Sequence, residues 1–181
     1  MCSILQESPA LRPTAMASLL SKSFTISRGL VYSACFVWLW AWLAMRLRSL
    51  DARLRVSLPV WLRPFGFELA AAGALLAGIC IATFVTKGRG TPAPFDPPRE
   101  FVASGPYRYV RNPMYVGGAA VILGAGLAVS SPSIVLLALA FLLTMHLFVV
   151  LYEEPALTGK FGVSYQRYCS AVHRWLIRKP R

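Results

Sequence analysis

The stretch from Gly105 to Tyr115 reads GPYRYVRNPMY and carries a dense set of polar groups in a chain otherwise dominated by apolar runs. Tyr107, Arg108, Tyr109, Arg111, Asn112 and Tyr115 offer hydroxyls, an amide and guanidiniums, a set suited to a polar ligand with an anionic group and a flat ring. Pro106 and Pro113 each remove a backbone donor and fix φ, and each drives the preceding residue toward extended geometry. A shaped loop is therefore expected here, not a continuous helix. The same residues also suit a basic loop beside a membrane with interfacial tyrosines.

The second chemical feature is the acidic pair Glu153 and Glu154, which closes a long uncharged run. An acid at mid-bilayer costs about 3 kcal/mol and less near the interface, and the end of a helix disfavours negative charge. Partners are therefore expected: Arg108 or Arg111 as an ion pair, or the hydroxyl and ammonium groups of a ligand. Neighbouring helical residues point about 100° apart, which leaves one acid for each task. His146 is the ionisable residue well inside a run, and its spacing puts it on nearly the same helix face as Glu153, about 10 Å away. It suits either a neutral base for an amine acceptor or a histidine bonded across helices for packing. No nucleophilic triad, metal cluster or phosphate-binding glycine loop is evident, and Gly88 and Gly90 are a weak pair in the wrong context for a dinucleotide fold.

The elements that must position these groups are apolar blocks. The chain has 181 residues, is 56% hydrophobic and only 14% charged, proportions wrong for a soluble domain of this size. Leu30 to Met45 and Leu69 to Thr86 are uncharged, and Tyr115 to Tyr152 contains no Lys, Arg, Asp or Glu. With roughly 20 residues needed per crossing, four spans are expected, about 26–45, 67–86, 114–130 and 133–152. The expected class is an all-α polytopic membrane protein with a carboxy-terminal helical hairpin and an interfacial tail helix.

The formal charge of +12 would suggest nucleic acid in a soluble protein, but the 19 basic residues lie almost entirely outside the apolar runs, the pattern of membrane flanks. No nucleic-acid partner is expected. Positive charge places the 87–111 loop and the tail at the cytoplasm and the Ser130-Ser131-Pro132 turn opposite. Four spans then put the 46–63 linker opposite the cytoplasm despite its arginines, unless that linker lies flat in the interface or the first run does not cross. Cys2, Cys35, Cys80 and Cys169 show no metal or disulfide spacing and read as small apolar residues.

Residues 1–25 are weakly patterned and read as a poorly ordered extension, with Met16 as an alternative start; 26–181 form one domain. Trp38, Trp40 and Trp42 near Arg46 fit an aromatic belt that anchors the first span. The 46–66 segment reads as a short amphipathic surface helix broken at its prolines. Pro92, Pro94, Pro97 and Pro98 rule out a helix in the following loop. Ala120, Gly124 and Ala128 form a small-residue face on the third span, expected to pack against the fourth. In the tail, Phe161, Tyr165, Tyr168, Val172 and Trp175 or Leu176 recur at helical spacing.

GPYRYVRNPMYVG followed by YEEPALTGKFGVSYQRY resembles the integral-membrane methyltransferases that include isoprenylcysteine carboxyl methyltransferase and phosphatidylethanolamine N-methyltransferase. The resemblance covers residues 87–181. It implies a small helical membrane fold that binds S-adenosylmethionine in a cytoplasm-facing pocket, with a lipidic or small amphipathic acceptor entering from the bilayer. Carried over by position, Arg99, Glu100, Phe101 and Val102 would line the cofactor and Tyr107 would contact it. Asn112, Pro113, Met114 and Tyr115 would form its floor, and Glu153 with Glu154 would bind its polar end. Prenylcysteine enzymes usually have histidine at the position of Asn112 and arginine at that of Val149, so NPMY and YEEP are closer to the phospholipid N-methyltransferases. Arg111 and His146 are the candidate catalytic residues. Two other readings stay open: a membrane reductase using NADPH, and a non-catalytic membrane subunit or small transporter.

Overall fold

Two glycines on one helix meeting two on the next set the geometry of this protein. The computed structural model describes residues 15–54, 56–84, 86 and 103–177, and among them every regular element is helical. Helix α1 spans Ala15–Arg48, α2 is the short Asp51–Leu54, and a 3-10 turn at Val60–Leu62 runs into α3, Arg63–Thr83. A 3-10 turn at Gly105–Arg108 precedes α4, Pro113–Ala128, and α5, Pro132–Phe148, continues through a π-turn at Val149–Glu153 into α6, Glu154–Phe161. Helix α7 is Val163–Ala171.

Helices α3 and α4 lie antiparallel and nearly touch backbone to backbone. A Cβ on Gly73 would sit 2.6 Å from the Gly117 carbonyl oxygen, and one on Gly124 would sit 2.6 Å from that of Gly66. Close approach of this kind maximises van der Waals contact between apolar helices, where burial from water is not the driving force. The small face of Gly124 and Ala128 therefore packs on α3, and not on the fourth span as the spacing suggested. Helix α5 takes the other side of α4, with Phe141 against Gly118 and the Val135 backbone against Gly126. Phe141 is 1% exposed and receives Trp40 of α1 edge-on at 4.7 Å. Trp40 thus packs inward, while Trp38 and Trp42 stack on the exposed side with Arg46 over Trp42, where a membrane belt would lie.

Of the four expected spans, Val60–Thr83 and Pro132–Phe161 are long and apolar enough to cross a membrane, and Pro113–Ala128 is apolar but shorter. Helix α1 begins at Ala15, well before the expected start near residue 26, so residues 15–25 are helical; 1–14 lie outside the described residues. In place of one surface helix over 46–66, α1 runs on to Arg48, the one-turn α2 and the 3-10 turn follow among the described residues, and Pro64 opens α3 in its first turn, where a missing N–H costs nothing. This linker meets the α4–α5 turn: Asp51 accepts from the Ser133 N–H at 2.9 Å, and Arg63 Nε donates to the Ser130 hydroxyl at 3.0 Å. The linker and the Ser130 turn therefore occupy the same end of the bundle.

Two expectations fail at the carboxy-terminal end. Glu153 and Glu154 do not terminate a helix, because the backbone stays helical into α6. Pro155 in the first turn of α6 has no N–H and crowds the carbonyl four residues earlier, and the widened π-turn directly before it absorbs that conflict. The tail is also not one helix. Gly162, at φ 53 and ψ −128, breaks α6 from α7, and the chain leaves α7 at Val172 in extended geometry. Val172 and Trp175 thus belong to a non-helical strap, 172–177, that crosses back over the site.

Candidate functional site

The 103–112 loop, the start of α4, the π-turn and the strap converge at one end of the bundle. Tyr107 is 7% exposed and packs with Cys80, Leu76, Phe84 and Met114. Burial, with Cys80 adding to it, pushes its phenol above the ordinary range, so it remains a neutral hydroxyl. Its backbone carbonyl accepts from the Tyr168 hydroxyl at 2.6 Å, which ties the loop to α7. Pro113 is fully buried at the first position of α4, and Met114 joins the Tyr107 cluster, so both act through packing. Asn112 occupies the N-cap position but its side chain does not cap the helix; its Nδ2 donates to the Arg174 carbonyl at 3.2 Å.

The two acids are treated differently. Glu154 accepts from Arg174 Nε and Nη2, both at 2.8 Å, and lies 3.0 Å from Arg111 Nη1, so two guanidiniums neutralise it. The fork geometry is the strong bidentate arrangement. Glu153 accepts from the Tyr115 hydroxyl at 3.1 Å and has no cationic partner among the described residues. Arg111 is fully engaged on one side: its N–H donates to the His173 carbonyl at 2.9 Å and its Nη1 to Cys169 Sγ at 2.8 Å. Its Nε and the Ser104 hydroxyl are buried without a partner among the described residues, an uncommon state for native polar groups. Arg108 is exposed and is not in this cluster.

His146 does not share a face with Glu153. The π-turn takes one extra residue to complete its turn, so the position returning to the His146 face is Glu154, which lies within electrostatic reach of it. His146 Nδ1 accepts from the Trp175 indole N–H at 3.1 Å. An indole N–H only donates, so the neutral ring keeps its proton on Nε2 and has no free lone pair while this bond persists.

The structure thus brings Tyr107, Arg111, Asn112, Pro113, Met114, Tyr115, His146, Glu153 and Glu154 to one end, while Arg99, Glu100, Phe101 and Val102 lie outside the described residues. Arg174 and Trp175 were missed. Their basic and aromatic character read as a membrane-facing tail, and only the strap's path shows that consecutive residues reach Glu154 and His146. Among the described residues no group of His, Cys, Asp and Glu is placed to hold a metal.

A helical bundle with apolar, outward-facing helices and an acid-and-tyrosine cluster at one end defines a membrane-protein class with a polar site at its edge. The chain belongs to the phospholipid methyltransferase family, whose model matches residues 64–164. That interval contains all of α3 but its first residue, α4, α5, both acids and the whole described loop. No curated protein and no solved structure matches the chain at a significant level. Family membership makes methyl transfer to lipid-like substrates the activity class.

Proposed function

We propose that the protein spans the membrane four times and transfers a methyl group from S-adenosylmethionine to a lipid-like acceptor at the cytoplasmic face. The observation that carries the cofactor assignment is the division of labour between the acids. Glu154 is spent on Arg111 and Arg174, whereas Glu153 is met by one neutral hydroxyl. A carboxylate held in that state is an acceptor for an ammonium or a ribose diol, and the unpartnered Arg111 Nε and Ser104 hydroxyl of the 103–112 loop are donors suited to a carboxylate. These residues fit the cofactor's polar groups. When bound, S-adenosylmethionine supplies an electrophilic methyl on a sulfonium.

The chain's own part is orientation and exclusion of water, which suit a displacement that needs no covalent enzyme intermediate. Tyr115 holds Glu153 from α4, and Asn112 and Arg111 hold the strap over the site. The larger number of Lys and Arg in the 87–111 loop and the tail together than in the 46–63 linker supports the orientation with the site at the cytoplasm.

Glu153→Gln keeps the shape and the Tyr115 contact but removes the charge. Charge-assisted hydrogen bonds contribute about 1.5–3 kcal/mol, so S-adenosylmethionine affinity is expected to fall roughly ten- to a hundredfold with the melting temperature unchanged. Titration of labelled S-adenosylmethionine against the detergent-solubilised variant reads this directly. Undiminished affinity in the folded variant overturns the assignment.

A further inference from the structure

The strap is fastened to the site by its polar groups and leaves its aliphatic ones bare. The His173 carbonyl accepts the Arg111 N–H at 2.9 Å, the Arg174 carbonyl accepts from Asn112, Arg174 forks onto Glu154, and the Trp175 indole donates to His146. Val172 is buried, but Leu176 and Ile177, directly after these bonded residues, are 70% and 82% exposed. Bonds of the first kind compete with water and hold a short segment only modestly. Trp175 shares an apolar lining with Leu139, Leu142 and Leu143 of α5, two of them more than half exposed. A bilayer would place hydrocarbon against those leucines, so Leu176 and Ile177 come where hydrocarbon gives way to head groups. Charge at this end is one-sided. From residue 103 onward the chain has eight Lys and Arg against two acids, and both acids, Glu153 and Glu154, belong to the site. Arg108 and Arg167 are exposed, and Arg178, Lys179 and Arg181 follow Ile177 in sequence, outside the described residues.

We propose that Leu176 and Ile177 dock on an anionic bilayer surface and that this docking holds the strap closed over the site. Stable attachment to a surface takes two signals, here apolar side chains for the acyl boundary and a basic cluster for anionic head groups. A zwitterionic surface answers only the first, so closure of the strap rises with the anionic lipid content. The coupling is short. Arg174 and Trp175 immediately precede the docked pair, so whatever fixes Leu176 also fixes the fork on Glu154 and the bond to His146. A protein partner would have to be acidic and apolar at once, whereas a bilayer offers both to a protein whose helices face outward. The docking stands apart from the methyl-transfer reading; its consequence for donor affinity rests on that reading.

The test places the full-length protein in phosphatidylcholine nanodiscs with and without phosphatidylglycerol. Hydrogen exchange at the Arg111 amide, whose proton is held by the His173 carbonyl, reads the strap with no donor present. Exchange is expected to slow several-fold with phosphatidylglycerol, and equal rates in the two discs overturn the proposal. Leu176→Ser with Ile177→Ser alters exposed positions only and is expected to abolish the slowing, whereas Leu176→Phe with Ile177→Phe should keep it. Slowing that survives the serines, or is lost with the phenylalanines, overturns the docking. Glycerol phosphate and poly-glutamate added to phosphatidylcholine discs should leave exchange unchanged; slowing equal to that of phosphatidylglycerol would make the partner a soluble anion or an acidic protein and overturn the bilayer. S-adenosylmethionine is titrated in the same discs and is expected to bind several-fold tighter with phosphatidylglycerol. Equal affinity while exchange responds overturns the coupling to the site. Exchange that responds with no donor binding in either disc keeps the docking and overturns the methyltransferase reading, and donor binding with unresponsive exchange does the reverse.

Discussion

The two ends of the bundle carry similar residues and use them differently. At the end holding the α4–α5 turn, Asp51 accepts the Ser133 N–H, Ser131 caps α5 by accepting from Ile134 N at 3.3 Å, and Arg63 is bonded to Ser130. Each named group there closes a helix terminus or a turn. At the opposite end Glu154 is saturated by two guanidiniums, yet Glu153 beside it has only Tyr115. Both ends are basic in sequence, so the presence of charge alone does not show which of them is functional. At the α4–α5 turn the Ser133 hydroxyl is buried without a partner as well, so what separates the functional end is a charged group, Glu153, left without a cationic partner among the described residues.

Glu154→Gln is expected to break this contrast most severely. Arg111 and Arg174, whose side chains are 13% and 30% exposed, would keep their charge without its counterpart. Breaking such a partly buried pair costs about 2–3 kcal/mol, less than for a fully buried one, so the melting temperature should fall by several degrees. The strap loosens with it, so S-adenosylmethionine titration should weaken as well. A Glu154→Gln variant with normal melting and normal binding would remove the strap from the site. Glu153→Gln should show the converse, a binding loss without a stability loss, and thermal melts of the two variants side by side sharpen the comparison.

Changes at the far end should be smaller and confined to stability. Asp51→Ala removes the acceptor for the Ser133 N–H at the start of α5, a capping loss of about 1 kcal/mol, with cofactor affinity unchanged. Weaker cofactor binding in this variant would mean that the two ends communicate. The smallest effect is acid sensitivity. Burial alone would raise the Asp51 carboxyl, but hydrogen bonds from Ser131 and Ser133 and the charge of Arg48 outweigh it and hold it below its ordinary 3.8. A depressed carboxylate contributes stability that is present above 3.8 and is lost as pH falls through the lower folded value. Melting curves taken down through that range should show a slight extra loss in the wild type that Asp51→Ala lacks.

Much of the architecture was readable from the chain alone because it rests on local chemistry. Uncharged runs place α3, α4 and α5 within a few residues, and Pro106 and Pro113 interrupt the helix before α4, since a proline acts on its own turn whatever surrounds it. The motifs around Asn112 and Glu153 carried the family, and the family model covers both. One acid for pairing and one left over was also implied by adjacency on a helix. Which acid does which was decided by tertiary structure. The π-turn before Pro155 shifts the register by one residue, so Glu154 lies on the His146 face, and a regular 3.6-residue period misses that shift. The partner of the small-residue face on α4 was equally undetermined, because the same stripe fits either neighbour until glycines on α3 meet it at backbone distance. Arg174 and Trp175 reach Glu154 and His146 only because Gly162 turns the chain and the strap folds back over the loop. Contacts of that kind depend on the path of the whole chain, and no local period records it.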